Sequence, residues 1–463
     1  MELAEHLISR ASSLGAAYTG VIFQEVLVST ITVENGVLKS YVTSAKAGVG
    51  IRVLVNGAMG IAASTSLDRE ALSRKLQYAV KMAKVAKVKV DPTQYIEAEI
   101  PKTSFHSNLV KPPNSISNRE KIDVVIAANK AAMLEGIKNS TTRLAWFDER
   151  RVFTSSEGAD VSSNVTMTGL AQSSVAEHQG SLERVSDSAS RCAGFEFILE
   201  NDWNRFAKNV SETAKQAVKS PAPTPGVYEV VADPKLIGLI LHEAFGHASE
   251  ADLVMTGESI LQGAIGTEVA SSLVTIIHDG VVDGGYFVPF DDEGVSKTKQ
   301  KVVEQGVLKG FLHSRETGYK LHHRSTGNAR VQSFEDKPIV RQTNLFMSAG
   351  DCSWSELLEG VNDGLYLCGR GARGGEVDVG LGTFTFRTGP SYIIKKGELQ
   401  EMVRGVSISG TILNTLRYVD AVGKEVQIIT SIFGGCGKFG QMVRVGDGGP
   451  HVKIRGMSVG SEA

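Results

Sequence analysis

Two runs near the start of the chain crowd β-branched and apolar residues between turn formers, residues 26–33 (VLVSTITV) and 48–55 (GVGIRVLV). Both predict strands. Asp68 then opens a helix whose Leu72, Leu76, Ala79, Val80 and Ala83 share one face. From Asp91 to Ser117 periodicity fades, and Pro92, Pro101, Pro112 and Pro113 predict a linker or crossover. Helical spacing returns over residues 118–136 through Ile122, Val125, Ile126 and Met133, with Asn129 as the polar exception on that face. Residues 151–172 alternate like strands, and a further helix is centred on Trp203, Phe206, Ala207, Val210 and Ala214.

The sharpest break is the run SPAPTPG at residues 220–226, a stiff connector. Beyond it, helical patterns occupy residues 233–247 and 353–360, where Ser353 and Glu356 form a capping box. The remainder alternates like strands around turns at Asp279-Gly280, Asp283-Gly284 and Lys396-Gly397. The expected fold is α+β. N-terminal α/β units at 1–90 and 118–219, with mixed or antiparallel sheets, are joined by a linker at 91–117. The connector at 220–226 leads into a large β-rich domain at 227–463 carrying a buried, metal-binding helix.

Composition narrows the function more than the fold. With 42% hydrophobic and 22% charged residues in 463, the chain is globular and long enough for two or three domains. Lys+Arg of 49 against Asp+Glu of 51, with no basic block, offers no footprint for nucleic acid. The 49 glycines against 12 prolines suit a turn-rich β protein. Four cysteines without a CxxC pair predict no disulfide framework. Residues 1–15 carry Glu2, Glu5 and His6 and lack the order of a secretory signal, and no apolar run reaches membrane length. The expectation is a cytoplasmic protein with no membrane partner.

The chemistry concentrates in residues 232–247, ADPKLIGLILHEAFGH. Asp233-Pro234 is a helix start, and Leu236, Ile237, Leu239, Ile240 and Leu241 are apolar nearly all round, which predicts a buried helix. Such a helix ending in His242-Glu243-x-x-x-His247 has polar atoms that need partners. Zinc-binding histidines usually stand at i and i+4. Here they stand at i and i+5, about 140° apart on a regular helix at 3.6 residues per turn. For both to reach one ion, the helix must widen to a π-turn or end before His247, and Gly246 sits where that is easiest. A third ligand is needed, and Glu250, Asp252, the pair His322-His323 and Cys436 all qualify by type. Cys436 lies in a glycine-rich loop, residues 434–440, where Lys438 would favour its thiolate.

The segments HEAFGHASEAD (242–252), DDEG (291–294), STGNAR (325–330) and GCGKFGQ (435–441) resemble the TldD/PmbA family, historically called modulators of DNA gyrase. Residues 48–64, 150–160 and the Gly-Gly-Pro ending at Pro450 extend the resemblance over nearly the whole chain. It implies a zinc metallopeptidase of the TldD branch, with His242, His247 and Cys436 as metal ligands and Glu243 as catalytic carboxylate. It also implies a dimer enclosing a chamber for peptide substrates, either a homodimer or a heterodimer with a metal-free PmbA/TldE-like paralogue. Two other readings are a catalytically silent subunit of that metal-free kind and a hydrolase dependent on Cys436.

Four further features carry weaker signals. The glycine-rich residues 369–375 are followed by a strand pattern, not a helix, so they are read as a place for substrate backbone, with Arg370 or Arg373 toward a peptide carboxylate. Asp291, Asp292 and Glu293 are read as an exposed turn in preference to a cation site. His323 is assigned a surface or core place, and His322 no role. Asn328 and Arg330 suit either a turn or substrate orientation.

Overall fold

A computed structural model describes residues 2–86, 92–99 and 101–461, with the side chain of Arg373 excepted; Asp91 and Ile100 of the expected linker lie outside them. Strands Tyr18–Glu34 and Val37–Val55 form a long hairpin turning at Asn35 and Gly36, both at positive φ (48° and 79°). Ala58–Ser64 extends one side. On the other side Tyr18–Glu34 pairs with Ile137–Ser155, which pairs with Asp160–His178. The last strand carries Lys102–His106, parallel, and Ser181–Arg191, antiparallel, on its far edge. Segments 1–90 and 118–219 therefore contribute to one seven-stranded sheet.

The strands outrun the apolar runs that predict them. Residues 37–47 are mostly exposed, so nothing forces their side chains into alternation. Lys102–His106, within the expected linker, is likewise nearly all exposed and carries no hydrophobic signature. Helices Glu2–Ser13 and Arg69–Val85 cover one end of the sheet, packing Leu7, Leu72 and Leu76 on Val49, Ile51 and Val53. Helices Asn118–Ala132 and Trp203–Ala217 cover the other with Val125, Ala128 and Trp203. Asn129 is fully buried there, accepting from Gly36 N (2.7 Å) and donating to Ser140 O (3.0 Å). It ties the hairpin turn to its neighbour strand, which explains a polar residue on an apolar face.

The C-terminal part holds a six-stranded and a nine-stranded sheet. One apolar cluster joins Val230, Leu365 and Ile454 of the larger sheet, Ile276, Val303 and Leu345 of the smaller, and Leu236, Ile237 and Ile240 of the helix Pro234–Ile240. That helix is thus buried as its sequence requires. The mixed α+β architecture matches the expectation. Three short helices, Ala251–Thr256, Arg315–Lys320 and Ile412–Arg417, span too few turns to show a period.

Asp291, Asp292 and Glu293 do not form an exposed turn; each is 5% exposed or less. Asp291 accepts from Glu293 N, Val295 N and Ala329 N (3.0, 3.0 and 2.9 Å). Asp292 pairs with Arg151 (2.7 Å), and its carbonyl accepts from Arg52 (2.7 Å), both from the N-terminal sheet. The turn is a polar seam between the sheet and the C-terminal part. Its local sequence looks solvated because Arg52 and Arg151, which engage it from the other sheet, lie more than 100 residues away in the chain. Burial, then the Asp291 charge, pushes Glu293 up to about 8.

Candidate metal centre

The helix beginning at Pro234 widens where the histidine spacing demands it. Asp233 caps it by accepting from Leu236 N (2.8 Å), regular α-helix runs to Ile240, and Leu241–Gly246 form a π-helical turn. Bonding of i to i+5 stacks residues five apart, so His242 and His247 meet with ring centroids 5.4 Å apart. Gly246 has no positive φ, so backbone freedom is not why glycine stands there. A Cβ at that position would lie 2.2 Å from Gln342 Oε1. Gln342 in turn donates from Nε2 to the His242 carbonyl (3.0 Å) and lies 3.4 Å from His242 Nε2.

Cys436 arrives on a hairpin of Cys436–Lys438 and Gln441–Val443, turned at Phe439 and Gly440 with φ of 48° and 76°. The buried Arg341 holds it by donating to the carbonyls of Cys436 (2.5 Å) and Gln441 (3.1 Å). Ligand atoms of His242, His247 and Cys436 lie within 4.8 Å of one another, and all three residues are buried. Cys436 Sγ is 3.1 Å from His247 Nε2, whereas His242 Nδ1 is buried with no hydrogen-bond partner. An orphaned imidazole nitrogen beside a thiol and a second imidazole fits a soft divalent metal. Glu243 is the exposed member, its side chain 35% accessible and its Oε2 3.9 Å from His247 Nε2.

Burial raises the Cys436 thiol, but the His242 charge and hydrogen bonds from both imidazoles outweigh it and hold the group at about 5. Burial likewise lowers His247, and the Glu250 charge with contacts to Cys436 overcomes it, to about 10. Each group thus favours the charged form of the other.

Of the candidate third ligands, Cys436 alone joins the histidines among the described residues. Glu250 is fully buried behind His247, bonding its Nδ1 (3.0 Å) and accepting from Lys438 Nζ (2.9 Å) and Gln342 N (3.1 Å). It orients the ring, as carboxylates do behind metal-binding histidines. Asp252 pairs with Lys438 (2.7 Å). Lys438 therefore serves these carboxylates; the thiolate is favoured by the histidines instead. His322 and His323 are exposed elsewhere, His323 stacking on His313 at 4.9 Å. Asn328 donates to Arg341 O (2.8 Å) and Arg330 to Gln342 O (2.8 Å), so both brace the link between strands Ile339–Val340 and Asn344–Met347 that carries Arg341 and Gln342. Gln342 and Arg341 belong to no motif, and no spacing points to them.

Because Gly246 makes room for Gln342, Gly246→Val is expected to cost about 1–3 kcal/mol of stability by overpacking and to weaken metal retention. Combining Gly246→Ala with Gln342→Ala removes the clash and is expected to be non-additive in denaturant unfolding. Additive losses would show that the two side chains do not compete for one space.

Two imidazoles, a thiol and an adjacent free carboxylate define a candidate metal centre of the hydrolase class. Three family models match the chain: the PmbA/TldA metallopeptidase domain 1 at residues 20–83, its central domain at 111–220 and its C-terminal domain at 225–461. The chain belongs to the PmbA/TldD metallopeptidase family. It is 38% identical over 432 residues to a protein named metalloprotease from Methanothermobacter thermautotrophicus, covering 93% of each chain. It is 28% identical over 460 residues to a zinc metalloprotease TldD homolog from Saccharolobus solfataricus, covering 98% of each. The solved structure of TldE from Thermococcus kodakarensis shares the fold at 18% identity, with a TM-score of 0.81 over 99% of both chains. Among the described residues no helix is long and apolar enough to cross a membrane.

Proposed function

We propose that this protein is a zinc-dependent peptidase of the TldD branch, with His242, His247 and Cys436 holding the metal and Glu243 as its proton carrier. The observation that carries the reading is the convergence of those three donors beside a carboxylate that holds no ligand in place. The zinc named in the Saccharolobus relative supports the choice of ion. Zinc held there would supply Lewis acidity toward a peptide carbonyl. Glu243 is placed to take a proton from an attacking water and to pass it to the leaving amine. Glu250 keeps His247 Nδ1 bonded, so that Nε2 is the nitrogen offered to the metal. Strand Ser181–Arg191 pairs only with Asp160–His178 among the described strands, and its free edge suits an extended, unfolded peptide. Action in the cytoplasm within a dimer, homomeric or with a TldE-like paralogue, belongs to the same reading.

Chelation is expected to abolish peptide cleavage, and zinc to restore it. A second reading, a Cys436-dependent hydrolase, draws on the thiolate lying 3.1 Å from His247. Cleavage that continues in strong chelator and stops on alkylation would establish it in place of the first.

A further inference from the structure

The cavity beside the metal centre carries charge that its own residues do not balance. It measures about 670 Å³ and lies between the N-terminal sheet and the helix Pro234–Ile240. Lys235 and Leu239 line it from the helix, one turn apart, and Glu243 follows four residues on, so the lining face continues toward the candidate metal centre. Asp447 forms the same wall against Gly238, where a Cβ would lie 2.4 Å from Oδ1. Its carboxyl, raised to about 6 chiefly by its enclosure, is within electrostatic reach of His242, Glu243 and Lys235. Cavity and centre thus share one helix, along the face that runs from Lys235 through Leu239 to Glu243.

Of the two carboxylates in this wall, Asp187 is already committed, to Lys235 Nζ and to Arg370 Nε (2.9 Å). That pairing also answers the expectation that Arg370 faces a substrate carboxylate, because its guanidinium is engaged by the chain itself. Across the cavity Arg143 and Arg184 project from the sheet, both exposed and without a carboxylate partner among the described residues. The Arg143 guanidinium lies 5.2 Å from the Phe433 ring, which holds it over the cavity. A concave wall with unneutralised cations focuses positive potential, and the guanidinium fork matches a carboxylate.

We infer that this cavity binds a carboxylate of the substrate peptide through Arg143 and Arg184, making them the residues that set specificity. The inference rests on the cavity being the substrate site of the peptidase proposed above. The carboxylate is either the peptide's C-terminus or an Asp or Glu side chain.

The test compares three peptides on the zinc-loaded full-length protein: one with an internal Glu and a free C-terminus, its Gln counterpart and its C-terminal amide. A preference of roughly tenfold in kcat/KM for the parent is expected, two part-exposed charge pairs each contributing a few-fold. Loss confined to the amide identifies the C-terminus, and loss confined to the Gln peptide identifies the side chain. Arg143→Gln and Arg184→Gln are expected to bring the ratio toward one, and Arg184→Glu to invert it toward a Lys-containing peptide. Rising salt is expected to flatten the ratio. Fluorescent versions of the peptides titrated onto Glu243→Gln give the same comparison as Kd, independent of turnover. A Kd preference without cleavage by the native protein supports the cavity assignment while removing the peptidase reading. Equal kcat/KM and equal Kd for all three peptides, or a preference surviving both Gln substitutions, overturns the inference.

Discussion

Glu243→Gln is expected to lower peptide cleavage by roughly 10²–10⁴-fold while leaving zinc content and fold intact. The side chain is part-exposed and stands 3.9 Å from His247 without bracing it, a task that belongs to Glu250. Replacing carboxylate by amide therefore removes a proton acceptor and little else. Elemental analysis and a denaturation curve alongside steady-state kinetics separate the outcomes. Native-rate cleavage by the variant would remove Glu243 from the mechanism, and loss of metal would recast it as a ligand.

Cys436→Ala is expected to fail differently, by losing the metal. Removing a thiolate that shares a buried site with two imidazoles takes away one of three donors. The expected loss of zinc affinity exceeds the 10–100-fold, approximately, that follows loss of a supporting residue. Competition with a chelator of known affinity measures it. The other cysteines serve as controls: burial pushes Cys192 up to about 12 and raises Cys368 and Cys352 too, so none offers a ready thiolate. Alanine at those three is expected to leave zinc content unchanged. Native affinity in Cys436→Ala would transfer the third ligand to another group, with Glu243, 3.9 Å from His247 Nε2, the carboxylate on that side of the ring.

The same comparison separates what is local in this protein from what is not. The α+β class, the helix opened at Asp68, the capping box at Ser353 and the buried helix after Asp233 depend on period and capping chemistry within about a dozen residues. These were legible. The i, i+5 histidine spacing likewise required a widened turn or a helix end before His247, because helix geometry allows few ways to bring such residues together; the structure takes the first.

Strand length along the N-terminal hairpin was not legible, since exposed ribbon carries no alternation. The buried seam at Asp291–Glu293 was misread for a related reason: Arg52 and Arg151 are remote in sequence, and three adjacent carboxylates look solvated without them. At the candidate metal centre the possible ligand types were legible, but their arrangement was not. Cys436 lies 189 residues from His247, and Glu250 three residues from it. Proximity in the chain favours Glu250 as a ligand, yet the turn after the π-helical segment sends its carboxylate behind the ring, toward Lys438 and Gln342 N. Period and capping are properties of neighbouring residues, so the linear chain determines them. Which side of an imidazole a carboxylate meets, and which cations remain unpaired around a cavity, depend on surfaces brought together only by packing of the two sheets and the helix between them.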